Sequence, residues 1–214
     1  MSSTPDLPPN PTAYIELADP YMALGQGYVE VLVFQYRLCA LIWLHRTTRA
    51  AIDTELARLA EIEEAGSHRV PGWEGESDLV LDEVKGILDG EAAPMGAGTI
   101  MASCCSALES LLTGMLPTRS RRGLRPKAQA AADLLADQEE AEAVIENAEW
   151  LAKRRNSFAH RLTDEGNHWD DDPNSQRYNF DDDAVEETFE RCGQIATLLD
   201  KRYAEVTRWR GAEP

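Results

Sequence analysis

Apolar side chains recur every three or four residues along most of this chain, the interval that lays them on one face of an α-helix. No stretch alternates as a half-buried strand would, so the pattern predicts an all-α protein. A first helical pattern runs from Tyr21 to Ala65, with Thr47-Thr48 as its weakest point. Its first half is apolar nearly all round and is expected at the centre of the fold, while Ile52, Leu56, Leu59 and Ile62 form a single stripe in its second half. Gly66 to Ser77, with Pro71, Gly72 and Gly75, reads as a loop, Asp78 to Leu88 as a short amphipathic helix, and Gly90 to Gly98 as a second break. Ile100, Cys104, Leu108, Leu111 and Met115 then mark a strong helix from Thr99 to Leu116, which Pro117 ends.

Pro126 suits the first turn of an Ala-rich helix to Ala136. The next helix starts near Gln138, and a last helical pattern covers 182–208, burying Val185, Phe189, Cys192, Ile195, Leu199 and Tyr203. Asp181 to Asp183 offer an N-cap and dipole-favoured acids at its start. The resulting division is a disordered, Pro-rich lead at 1–13, a long helix or helix pair at 14–65, a loop with a short helix at 66–98, a helical core at 99–208 and a tail at 209–214.

Charge narrows the function. The 214 residues carry a net charge of −17, which repels a polyanion unless cations are concentrated locally. Such a concentration exists in Arg119-Ser-Arg-Arg-Gly-Leu-Arg-Pro-Lys127: Arg119, Arg121, Arg122, Arg125 and Lys127 are five cations with no acid among them. It can steer RNA, or it can be a solvated loop that offsets the excess of acids. Cys39, Cys104, Cys105 and Cys192 show no metal-binding or disulfide spacing and are expected as buried small hydrophobes in a reducing cytoplasm. The start of the chain lacks the basic and apolar regions of a secretion signal. Val29 to Leu44 is too short and too polar, with Glu30, Gln35 and Arg37, for a membrane span. No membrane partner is expected.

The chemistry concentrates at Trp150-Leu-Ala-Lys-Arg-Arg-Asn-Ser-Phe-Ala-His160. Val144, Ala148, Leu151, Arg155 and Phe158 share one helix face, so Arg155 interrupts an apolar stripe. A guanidinium that cannot lose its charge must there meet a cleft, a carboxylate or an anion. Arg155 and His160, five residues apart, lie about 140° from each other around a continuous helix. They enter one cleft only if the helix ends near Phe158 or if two copies pack along this face.

Arg155-Asn156-Ser157-Phe158-Ala159-His160 resembles the signature of the HEPN superfamily (higher eukaryotes and prokaryotes nucleotide-binding), whose ribonuclease members carry Arg, four to six residues, then His. Arg154 with His160 and Arg161 with His168 satisfy the spacing as well. The polar Asn156 after the Arg, the small Ala159 before the His and the loop and long helix that follow select Arg155 with His160. The resemblance covers roughly 99–208, with the motif helix at 138–160 and Ala107-Leu-Glu-Ser-Leu-Leu112 matching the preceding helix of such domains. It implies a helical bundle, a homodimer that brings two Arg/His sets together, and metal-independent, cofactor-free endoribonuclease action by 2′-hydroxyl attack. It also implies a prokaryotic toxin or antiviral defence setting with a possible antitoxin or defence partner.

On that reading Arg155 and His160 are catalytic and Asn156 orients the histidine or binds backbone. Arg154, Arg161 and the basic stretch hold RNA phosphates. Each has a structural alternative: Arg155 in a salt bridge to Glu149 or Glu109, Asn156 as a polar helix-end residue, Arg154 and Arg161 on an exposed helix face. A non-catalytic HEPN-like module that binds a protein or nucleotide and mediates dimerisation is the rival function. In HEPN toxins modified by a nucleotidyltransferase partner, a tyrosine follows the motif histidine by two residues. Leu162 stands there in this chain, which speaks against that control. His168 with Asp170-Asp171-Asp172, and Asp181-Asp182-Asp183, match no metal-site spacing. The chain also lacks a phosphate-binding Gly loop, a Gly-x-Ser-x-Gly elbow and a Cys/His zinc framework.

Overall fold

The computed structural model describes residues 11–117, 122–163 and 178–208. It is an all-α helical bundle. The described helices are α1 (Thr12–Ile15), α2 (Val29–Glu64), α3 (Glu74–Gly86), α4 (Ala93–Met115), α5 (Leu124–Ala132), α6 (Gln138–Thr163), α7 (Asp182–Lys201) and α8 (Tyr203–Val206).

The central element is α4, packed against α2, α5, α6 and α7. Small residues let its neighbours approach: Ala97, Gly98, Cys104, Cys105 and Ala107 are all buried. A Cβ on Gly98 would lie 2.1 Å from Cδ2 of Phe158, so the Phe158 ring of α6 rests directly on the α4 backbone. One hydrophobic cluster runs from Ala18 to Val206 and joins α2, α4, α5, α6 and α7. All four cysteines are free and buried within this chain, as expected.

Three sequence expectations are corrected. The first half of α2 is central on one face only: Val31, Phe34, Leu38 and Ile42 lie in the core while Val29, Tyr36 and Leu44 are exposed. An all-round apolar helix therefore presents one of its faces outward. The break expected from Gly90 to Gly98 is helical instead, because a π-helical segment at Ile87–Ala92 links α3 to α4 without interruption. This run, Glu74–Met115, contains the one window among the described residues that is long and apolar enough to cross a membrane, with mean hydropathy 1.3, and half of that window is buried in the bundle. Finally, the last helix stops at Lys201 and resumes only as α8.

The stop is held from inside. Asp200 is fully buried, and its carboxylate accepts the backbone N–H groups of Gly25 (2.6 Å), Gln26 (2.8 Å) and Tyr28 (3.4 Å), pinning the loop before α2 to the end of α7. Tyr28 stacks on Tyr203 at 3.6 Å between ring centroids. At the other end of α7, Asp181 is the N-cap foreseen from sequence: its Oδ1 accepts the Ala184 N–H at 2.9 Å.

Candidate functional site

Helix α6 carries the motif. Asp137 starts it, its Oδ1 accepting the N–H groups of Glu139 and Glu140 at 3.0 and 3.2 Å. Val144, Ala148, Leu151 and Phe158 are buried along the expected stripe. Phe158 also meets Phe180 at 5.3 Å, so it ties α6 to the entry of α7.

Arg155, in the same stripe, turns to the edge of the core. Its Nη1 lies 3.3 Å from Oε2 of Glu109 on α4, and its Nη2 donates a long 3.5 Å contact to Oδ1 of Asn156. Glu109 has further partners: Lys127 Nζ at 2.9 Å and the Gly123 N–H at 3.1 Å. Partial burial works to raise the Glu109 pKa, but the Lys127 ammonium, the Gly123 N–H and Arg155 together outweigh it and hold the carboxyl below its ordinary range. Two cations thus share one carboxylate, and this small cluster keeps a net positive charge. It borders an open groove of about 690 Å³ lined by Ser106, Glu109, Ser110, Thr113, Gly114 and Lys127. Arg37 of α2 donates to Oγ of Ser110, one of the lining residues, at 2.8 Å.

His160 is exposed and sits on another side of α6. The helix does not end near Phe158; it continues to Thr163. The 138–160 boundary is therefore too short, and helix geometry keeps Arg155 and His160 about 140° apart around the axis within one chain. Asn156 is exposed, and its carbonyl oxygen is directed at Arg155.

The flanking cations separate into different environments. Arg154 faces α7: its guanidinium stacks 3.4 Å from the Trp150 ring centroid and 4.9 Å from that of Tyr178, and its Nε is buried without a hydrogen-bond partner. Burial pulls its pKa down, yet a guanidinium keeps its proton at any working pH. Arg191 approaches the same tryptophan at 4.7 Å and donates to Asn147 Oδ1 at 2.7 Å. Arg154, expected to hold phosphate, is thus engaged in a cation–π seam between α6 and α7. Lys127 departs from expectation too: it is buried, and its Nζ is bound to Glu109 and to Thr113 Oγ1 at 2.7 Å. Arg125 pairs with Glu149 at 2.5 Å, and Arg122 is exposed. Arg119 and Arg121 lie outside the described residues, as does the side chain of Arg161. His168 and Asp170 to Asp172 also fall outside.

A second polar cluster went unnoticed in the sequence. His45, buried in α2, approaches Asp182 at 3.4 Å, and Arg49 holds the other oxygen of that carboxylate at 3.5 Å. Asp182 is thereby a partner of α2. A histidine more than four turns into an apolar helix, four residues before an arginine, was the available signal.

Compared with protein-family models, curated proteins and solved structures, the chain matches none.

Proposed function

We propose that this chain is a HEPN-type endoribonuclease that cleaves RNA without a metal ion and works as a homodimer through the motif face of α6. The observation that carries the reading is the placement of Arg155 in the core stripe beside an open groove, with His160 exposed on the same unbroken helix. One copy cannot converge the two groups, whereas two copies packed along α6 can supply an Arg and a His from each to a shared cleft.

The chemistry follows from the residue types. One His160 takes the proton of the ribose 2′-hydroxyl as its oxygen attacks the adjacent phosphorus. The second His160 gives a proton to the departing 5′-oxygen, and Arg155 stabilises the charge that grows on the phosphate. The products are a 2′,3′-cyclic phosphate and a 5′-hydroxyl. Glu109 keeps Lys127 as partner when Arg155 turns toward phosphate. In this reading the protein acts in the cytoplasm as a toxin or defence effector, restrained by a partner protein.

The Arg155–Glu109 ion pair favours a second reading, a non-catalytic HEPN-like module that dimerises or binds a partner. A metal-free assay separates the two. Single-stranded RNA incubated in EDTA is expected to be cut by wild type, while Arg155→Ala and His160→Ala lose cleavage and keep their helical circular dichroism. DNA of the same sequence is expected to resist, having no 2′-hydroxyl. An inactive wild type supports the second reading, and full activity in His160→Ala refutes the role given to His160.

A further inference from the structure

The distal half of α2 and α3 form a two-helix arm beyond the main core. Two helices alone cannot cover both of their apolar stripes, and here only Ile52, Leu59 and Leu81 are buried on the arm helices. Between the helices lies an apolar groove of about 580 Å³, lined chiefly by Leu59, Ile62, Val70, Val80, Leu81 and Val84. Val80, which lines it, is 59% exposed, and on the same arm Trp73 is 63% and Leu79 69% exposed. Side chains of this size grouped on one element mark an interaction surface, which scattered single hydrophobes do not.

Charge identifies the occupant. Residues 51–92 carry twelve Asp and Glu against three Lys and Arg, more than half of the chain's net −17. The three cations are already engaged within the arm: Arg58 with Glu55, Arg69 with Asp78 and Lys85 with Glu63. A surface so acidic repels the arm of a second copy, a nucleic acid or an anionic lipid surface. Two of the three described cations of the chain's own basic stretch are engaged elsewhere, Arg125 with Glu149 and Lys127 with Glu109, which leaves Arg122 alone to offset so many acids.

We infer that the arm docks a basic amphipathic helix of a partner protein, its apolar stripe in the α2/α3 groove and its Lys and Arg on the acidic rim. The thirteen residues of α3 offer a track of about 20 Å, enough for three to four turns of the incoming helix. This is helix-in-groove recognition, with the apolar lining holding the stripe and the acids selecting the partner by charge.

The probe is a fluorescein-labelled Leu/Lys model helix of about 18 residues, titrated with the full chain and followed by anisotropy. Its comparator is a peptide of equal composition scrambled to abolish the stripe. The amphipathic peptide is expected to bind at least about tenfold more tightly than the scramble. Val80→Ser with Val84→Ser, both exposed and so tolerated by the fold, should weaken it about tenfold, while Val33→Ser with Tyr36→Ser on the outer face of α2 should leave it unchanged. Equal binding of both peptides, no binding, or equal loss in both double variants overturns the inference. So does a dimer, seen by light scattering, that Val80→Ser with Val84→Ser dissociates, because a second copy would then be the occupant.

Discussion

Replacing Gly98 by alanine tests whether the Phe158 ring fixes the seat of the motif helix. The added methyl would stand 2.1 Å from Cδ2 and 2.2 Å from Cε2 of Phe158, well inside the roughly 3.5–4.0 Å of a carbon contact. The ring must retreat by about 1.5 Å to restore that contact, and it is backed by Phe180 at 5.3 Å. Overpacking of this kind costs about 1–3 kcal/mol, and the rigidity of an aromatic pair places it at the upper end. Ala gains about 1 kcal/mol over Gly in a helix interior. The net loss should be about 2 kcal/mol, a fall in Tm of about 4–8 °C for a chain of this size. Phe158→Ala alone should cost about 3–5 kcal/mol. In that background Gly98→Ala should turn neutral or stabilising, since its methyl enters the vacated space. Chemical denaturation of the four proteins then yields a coupling of about 2–3 kcal/mol. An equal effect of Gly98→Ala in both backgrounds, or a raised Tm in the wild type, would refute the contact.

Burial lowers the pKa of His45, outweighing the opposing charges of Asp182 and Glu186, so the unfolded chain takes up this proton more readily than the folded one. The associated stability is present above the unfolded pKa of about 6.5 and is lost as pH falls through the lower folded value. Urea titrations between pH 7.5 and 5 should show this slope in wild type and a flatter one in His45→Gln; parallel slopes would exclude the assignment. Asp200→Ala strips an acceptor from three backbone N–H groups and should cost about 2–4 kcal/mol, with early proteolysis between 23 and 28; unchanged stability would contradict the pinning role. Burial raises the Cys39, Cys104, Cys105 and Cys192 thiol pKa values, that of Cys105 to about 12. A thiol reagent should therefore label the native protein slowly and the unfolded protein at all four sites.

What the sequence disclosed followed from periodicity and local capping. The α6 stripe, the buried face of α7 and the Asp181 cap depend on residues a few positions apart, and each is where the spacing put it. Long-range packing decided the rest. Glycine at 90, 96 and 98 reads as a break because glycine weakens helices, but at Gly98 the missing side chain is what lets α6 approach α4. The apolar first half of α2 carries no sign of which side will be covered. In the motif, the core position of Arg155 was legible, and Glu109 was one of two acids placed within its reach. That Lys127 would be buried beside the same carboxylate, and that Arg154 would turn away onto Trp150, depended on how α5 meets α4 and how α7 meets α6.

The proposed shared site makes one kinetic demand that a single-chain site does not. If both His160 side chains of a dimer serve each cleavage, wild type mixed with His160→Ala and left to exchange subunits should cut RNA in EDTA at a rate that follows the square of the wild-type fraction. A rate linear in that fraction, or cleavage that appears only when magnesium is added, would contradict the two-copy, metal-free mechanism.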